Sequence, residues 1–292
     1  MASTNKRFRI FSVLAKFLPP KFVKHYIFPL IVTRKQKPYN PKKWFESYHT
    51  ASLEQEFSDR MTIFPTYSLQ FTRYHYNVVE NSIIEYFAFR TFPRKPQVLD
   101  IGSGAGHWID FYLQVFQAES VVGIEISQPC VDALRQKYSE ANNVYVIEAD
   151  ISSADFKLTQ KFDCINAVGV MFHIVDDDLW KQAVRNLSNH LKEDGFIIVG
   201  GQFGYITQNV QFHFTDDFST WEEVREKDRQ AKATKASEVL VNKRIRSLRF
   251  WRHCARQAGL QIKSVQRTRQ RQAIMTPENN VLILTLEAKK QP

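Results

Sequence analysis

The chain has 292 residues, 40 Lys and Arg against 30 Asp and Glu, and 43% apolar residues including 23 Phe. Such a chain can bury a large core, which excludes a disordered protein and a small scaffold that needs disulfide or metal staples. Three widely spaced cysteines, Cys130, Cys164 and Cys254, form no C-x-x-C pair, which argues against a disulfide framework or a Cys-rich zinc site and makes the cytoplasm the expected location.

The net charge of +10 is concentrated at one end. Residues 1–45 carry 11 Lys and Arg and no acid, so the remaining 29 basic residues meet 30 acidic ones. Within this arm Ile10, Phe11, Leu14, Phe17 and Leu18 recur at helical spacing, with Arg9, Ser12 and Lys16 opposite, and Pro19-Pro20 ends the pattern. A second apolar stretch from Tyr26 to Thr33 is broken by Pro29 and is far shorter than the ~20 residues that span a bilayer. A basic amphipathic arm suits peripheral contact with an anionic membrane. Packing on its own domain, a transit peptide and a nucleic-acid contact are the other readings, and nucleic acid is disfavoured as a partner.

Residues 46–95 are expected to form a helical, aromatic-rich cap, punctuated by Pro93 and Pro96. From residue 96 onward, short β-branched runs alternate with helical stretches. The expected strands start at Val98, Val121, Val144, Phe162 and Phe196, and the helices between them cover Trp108–Gln117, Pro129–Tyr138 and Asp177–Leu191. That alternation predicts an α/β fold, a doubly wound and mostly parallel sheet covered on both faces. Residues 201–243 are too long for a simple connection and are read as an insertion or lid. A helix over Ile245–Ala258, ended by Gly259, and two strands starting at Gln261 and Asn280 complete the core, which runs over 96–292.

The first strand runs into Asp100, then Gly102, Gly104 and Gly106, then a helix start. Such a turn brings backbone close to a ligand and offers the free N–H groups of a helix N-terminus. The spacing is G-x-G-x-G, and His107 stands where a dinucleotide-binding loop has its third glycine. Glu125 ends the second strand, 19 residues after Gly106, and Asp150 follows the third. This ordered set resembles motif I and the succeeding acids of the class I S-adenosylmethionine-dependent methyltransferases, of small-molecule type, over residues 96–200. The resemblance implies a seven-stranded Rossmann-like fold and S-adenosylmethionine as cofactor. Asp100, Gly102, Gly104 and Gly106 would hold the methionine end and Glu125 the ribose. Asp150 and Ile151 would hold the adenine, with Ile126 and Ala167 completing the expected contacts.

The acceptor is less legible. Asn166-Ala167-Val168-Gly169 is not the loop of base-methylating amino methyltransferases, no Pro-Cys nucleophile follows the fourth strand, and no Glu pair suggests protein arginine methylation. Small molecules, glycans and lipid-linked acceptors remain, with oxygen as the expected acceptor atom. His173, just past the fourth strand, is the candidate general base; ordering its own loop is its alternative role. Asp176, Asp177 and Asp178 are read as cap and dipole partners of the following helix, and no metal is expected. His75, Tyr76 and Asn77 in the cap and Tyr205 and His213 in the insertion are candidate substrate or lid residues. Arg246, Arg249, His253 and Arg256 are read as one face of the late helix, solvated and paired with Glu222, Glu223, Glu226 and Asp228. The alternatives to this enzyme are a nucleic-acid or protein methyltransferase docking through the basic arm, and a non-catalytic cofactor-binding or membrane-associated protein.

Overall fold

The computed structural model describes residues 40–53, 69–204, 207–213, 240–267 and 278–287. The basic amphipathic pattern at 8–18, Tyr205 and the acidic residues at 222–228 lie outside the described residues. No described helix is long and apolar enough to cross a membrane.

Two helices precede the sheet among the described residues, α1 (Pro41–Leu53) and α2 (Leu69–Phe87). Then come β1 (Gln97–Ile101), α3 (His107–Val115), β2 (Ser120–Glu125), α4 (Gln128–Lys137), β3 (Val144–Glu148) and β4 (Phe162–Asn166). A 3-10 turn (Met171–His173) leads to α5 (Asp177–Asn189) and β5 (Leu191–Phe203). Strands β6 (Gln208–His213) and β7 (Leu240–Ile245) are followed by α6 (Leu248–Gln257), β8 (Leu260–Arg267) and β9 (Glu278–Leu286).

Seven strands form one sheet in the order β3-β2-β1-β4-β5-β9-β8. Strands β1 to β5 are parallel, and β9 pairs antiparallel with both β5 and β8. The expected doubly wound α/β sheet is therefore present. Its two faces feed two cores, as the period of two in a strand requires. Leu99 and Ile101 of β1, Val122 and Ile124 of β2 and Ile165 of β4 join Trp180, Val184 and Leu187 of α5 and Trp251 of α6. Val98, Val121 and Cys164 point the other way, to Ile83 and Phe87 of α2 and Trp108 and Tyr112 of α3.

Three local expectations need correction. The fifth strand begins at Leu191, five residues before Phe196. The late helix begins at Leu248, not Ile245, because residues 240–245 pair with 208–213 as a two-stranded sheet. Ser247 caps it by accepting from the Phe250 N–H. Arg246 consequently lies off that helix and is buried, at 2% exposure, so it belongs to no solvated face. Its guanidinium reaches Asp177 at the start of α5.

Strand order reverses between β1 and β4, since β2 lies on one side of β1 and β4 on the other. Connections leaving the carboxyl ends there diverge and leave a crevice, where ligands of open α/β sheets bind. Gly102 sits on its rim with φ of 71°, and a Cβ there would strike Cγ2 of Val170, beside the 3-10 turn. An Ala at this position carries ~1–2 kcal/mol of left-handed strain and an overpacking cost of ~1–3 kcal/mol. Gly102→Ala is expected to lose roughly 2–4 kcal/mol in denaturant unfolding by those two terms. Val170→Ala in the same chain should return the overpacking part and leave the backbone part.

Candidate cofactor and acceptor site

Asp100 ends β1 beside Asn166 of β4, its direct register partner. Asn166 Nδ2 donates to Asp100 Oδ1 at 2.7 Å, and the Tyr112 hydroxyl donates to Asn166 Oδ1 at 3.2 Å. Asp100 is fully buried, and its second oxygen, Oδ2, has no hydrogen-bond partner among the described residues. Burial pushes this carboxyl up to about 6; hydrogen bonds from Asn166 and Ser103 oppose the rise, and the charge of Glu125 adds to it. A buried acid with one oxygen unpartnered among the described residues is the arrangement a cationic group would satisfy.

The glycine turn beyond Asp100 is held from both sides. Gly102 N and Ser103 N donate to the Ile124 carbonyl at 2.7 and 3.2 Å. Lys137 of α4 donates to the Ala105 carbonyl at 2.9 Å, and the Tyr138 hydroxyl to the Gly106 carbonyl at 3.0 Å. Both side chains also grip Asp110 in the first turn of α3, at 2.7 Å each. Gly106 has φ of 90°, and its missing side chain makes room for the Tyr138 hydroxyl.

Glu125 is 5% exposed at the end of β2. Its carboxylate accepts three backbone N–H groups, from Gly104 at 3.1 Å, Ile126 at 2.8 Å and Ser127 at 3.2 Å. About one of a carboxylate's four lone-pair positions remains. Asp150, exposed after β3, turns Oδ1 to the Ser152 N–H and hydroxyl at 2.8 and 2.7 Å. Ile151 is buried in the core, and its carbonyl accepts from Asn186 at 2.7 Å. Ala167 is fully buried, with its N–H on the Ile198 carbonyl. The structure thus gathers Asp100, the glycine turn, Glu125, Ile126 and Ala167 at the carboxyl ends of β1, β2 and β4, with Asp150 and Ile151 beyond β3.

Helices α1 and α2 close over this end of the sheet. On α2, Tyr76 stacks on His107 with ring centroids 3.5 Å apart, and Glu80 Oε1 lies 2.7 Å from His107 Nε2. His75 meets the Tyr76 ring edge-on, and Asn77 is exposed. These three residues therefore divide: Tyr76 clamps the helix start after the glycine turn, His75 packs on it, and Asn77 faces solvent. On α1, Lys42 pairs with Glu148 at the end of β3 at 2.5 Å, while the Phe45 ring meets His173 edge-on at 5.1 Å. Strands β3 and β4 are three inter-strand steps apart, ~14 Å, so one turn of α1 reaches across the ends of β2 and β1. His213 ends β6 opposite Leu240. The contacts of Phe45, His107 and Asn166 were not anticipated. Asn166 carried a readable signal, because it ends the fourth strand as Asp100 ends the first.

A family model described as a methyltransferase domain matches residues 98–195. A search of the curated proteins returns no match. Among solved structures, the chain is similar to an S-adenosylmethionine-dependent methyltransferase from Clostridium acetobutylicum, with TM-score 0.53, 16% identity, and coverage of 73% of this chain and 92% of that one. It is also similar to the N-methyltransferase NodS of Bradyrhizobium japonicum, solved with S-adenosyl-L-homocysteine, with TM-score 0.53, 13% identity and coverage of 82% and 100%. A third is the 1,6-didemethyltoxoflavin-N1-methyltransferase of Burkholderia thailandensis, with TM-score 0.56, 13% identity and coverage of 88% and 94%. The sheet has the fold of these solved methyltransferases. Residues 98–195 carry a methyltransferase domain by the family match.

The raised Asp100 pKa has a consequence for the ligand-free protein. Between about pH 4 and pH 6 the folded state keeps a proton that the unfolded chain has released, so stability falls as pH rises through that window. Asp100→Asn removes this loss. The variant should be more stable than the parent at pH 7, by up to about 3 kcal/mol for roughly two pKa units. The difference should vanish near pH 4 in denaturant unfolding curves.

Proposed function

We propose that the protein methylates a heteroatom of a small-molecule acceptor, with the crevice over β1, β2 and β4 as the cofactor site and His173 at the acceptor side. The observation that carries this reading is the covering of the crevice by α1, whose side chains reach Glu148 on one flank and His173 on the other. A mouth covered in this way suits a small acceptor better than a duplex or a folded protein. The Burkholderia thailandensis enzyme, solved with bound 1,6-didemethyltoxoflavin, supports a small acceptor too, and both it and NodS are N-methyltransferases. That reaction type favours nitrogen beside the oxygen expected from sequence.

The residues present fit S-adenosylmethionine. The open Oδ2 of buried Asp100 is an acceptor for the cofactor's ammonium group, and the side-chain-free turn at Gly102 and Gly104 leaves space for its methionine end. Glu125 accepts ribose hydroxyls through its remaining lone pair, with the longer contacts to Gly104 and Ser127 yielding to the second one. Asp150, Ile151, Ile126 and Ala167 border the adenine end. When bound, the cofactor supplies an activated methyl group on a sulfonium sulfur. The chain's own work is then chiefly alignment and exclusion of water. His173, held against Phe45 and Phe172 in the 3-10 turn, takes the proton that the acceptor oxygen or nitrogen releases.

Glu125→Ala should weaken cofactor binding about tenfold or more by calorimetry, since the ribose loses a charged acceptor worth ~1.5–3 kcal/mol. Unchanged affinity would remove Glu125 from the site. His173→Ala should reduce turnover of methyl-labelled cofactor on the acceptor ~10²-fold or more, as loss of a general base does. Its cofactor affinity should stay within a factor of two. Because the acceptor is unidentified, that assay begins with small-molecule, glycan, lipid, nucleic-acid and protein fractions; label confined to protein or nucleic acid would overturn the small-acceptor reading.

A further inference from the structure

Strand β7 packs against the 3-10 turn that carries His173. Its end of the chain grips the segment on both sides of that histidine. On one side, Lys243 Nζ lies 4.8 Å from the centroid of the Phe172 ring. The same ring rests on Gly201 of β5, in the space a Cβ would fill. On the other side stands Asp177, the first residue of α5. Arg244 donates through Nε and Nη2 to its two carboxylate oxygens at 2.8 and 2.7 Å. Arg246 donates through Nε and Nη2 to Asp177 Oδ1 at 3.0 and 2.9 Å, and its Nη2 also donates to the Asp176 carbonyl at 3.2 Å. Residues 173–176 therefore run between anchors that one stretch of chain, 243–246, provides.

The neighbouring acids are engaged elsewhere. Asp176 caps α5 through the N–H groups of Asp178 and Leu179, and Asp178 pairs with Lys181 at 2.8 Å. One carboxylate thus serves two guanidiniums, and Arg244 ties the cluster to β6 by donating to Asn209 at 2.6 Å. Burial pushes the Asp177 carboxyl up, but the two arginines outweigh it and hold it below the usual value. The Arg246 side chain is 1% exposed and lies over the Trp180 ring, 4.6 Å from its centroid. Burial lowers its pKa to about 10, and the charge of Asp177 opposes the fall. Taking a guanidinium out of water costs more than an apolar side chain of similar bulk would. What the guanidinium supplies is direction, because its planar fork of N–H groups fits one placement of a carboxylate.

We infer that Arg244 and Arg246 are positioning residues for the reaction: through Asp177 they hold the 3-10 turn so that the His173 imidazole keeps one orientation. The inference rests on the reading of His173 as the base and adds the residues that hold it in place. Within the turn itself the His173 N–H is bonded to the Val170 carbonyl at 2.8 Å, the short i to i+3 pattern whose geometry is weaker than that of an α-helix. The start of α5 therefore sets where the turn ends, and the shared carboxylate sets where α5 starts.

The test uses the full-length protein and reads His173 directly. Diethylpyrocarbonate carbethoxylates imidazole nitrogens, and mass spectrometry resolves each histidine. His190, at the other end of α5, is the internal reference. It is 6% exposed, with one ring nitrogen 2.7 Å from the Asn186 carbonyl and the other accepting the Leu158 N–H at 2.9 Å. Arg244→Gln and Arg246→Met should each speed modification of His173 about tenfold, as loss of a charge-assisted contact does to a local opening. His190 should stay unchanged, and Arg244→Lys, which keeps the charge, should be intermediate. Unaltered His173 reactivity overturns the inference, and so does equal acceleration at His190, which reports general loosening. Should Arg246→Met not fold, Arg244→Gln decides, since the Arg244 side chain is 23% exposed. A second readout is methyl transfer to the fraction that accepts label. Arg244→Gln should lower turnover at saturating S-adenosylmethionine about tenfold or more, the effect of a misplaced reacting group, with KM for the cofactor unchanged. In a His173→Ala background it should cost nothing further; an equal loss there overturns the inference, because the arginine would then act on another group. Full turnover of His173→Ala overturns the base reading, and failure to bind S-adenosylhomocysteine overturns the methyltransferase reading. In both cases carbethoxylation still decides whether the arginines hold the turn.

Discussion

Between β1 and β4 the strand order turns back on itself, and the contact that spans this point is the hydrogen bond from Asn166 to the buried Asp100. Parallel strands deliver their carboxyl ends to one edge of the sheet, and connections that leave in opposite directions keep that edge open. The acid at this opening has one oxygen satisfied by its neighbouring strand and one without a partner among the described residues. Tyr112 supports the pair from α3 by donating to Asn166. The glycine turn, Glu125 and the 3-10 turn with His173 are arranged around this point because each follows a strand that ends there.

A second layer covers these strand ends. Helix α2 grips His107 through Tyr76 and Glu80, so the helix that follows the glycine turn is held from above as well as by Lys137 and Tyr138 from the side. Helix α1 crosses the strand ends and touches both flanks of the crevice. Neither helix belongs to the alternating strand-helix pattern of the core. Their aromatic side chains place an apolar cover over an otherwise polar edge, and water excluded from such an edge cannot compete for a charged ligand.

The start of α5 shows how a pattern can be misread. Three consecutive aspartates before a helix resemble caps and dipole partners, and Asp176 does cap α5. Asp177, however, turns to Arg244 and Arg246, whose spacing of two is that of a strand. Arg246 also fits a helical stripe with Arg249, His253 and Arg256, and that false periodicity extended the helix three residues too far. The choice between them was made by β6, residues 208–213, which supplies the hydrogen-bonding partner for residues 240–245 from far earlier in the chain. No window of local sequence contains both strands.

By itself the sequence determined the α/β class, the order of strands and helices from Val98 to Asn189, and the residues at the strand ends. Those features depend on local periodicity and on glycines that tolerate positive φ, and both are written in adjacent residues. Only the tertiary structure decided that Asn166 would pair with Asp100, that Glu125 would spend three acceptor positions on backbone, and that α1 would lie between Glu148 and His173. It also decided that Arg244 and Arg246 would share one carboxylate beside a buried indole. Each of these is a contact between residues distant in the chain, set by strand register and by how helices pack on the sheet, and neither is encoded by the spacing of residue types along one segment.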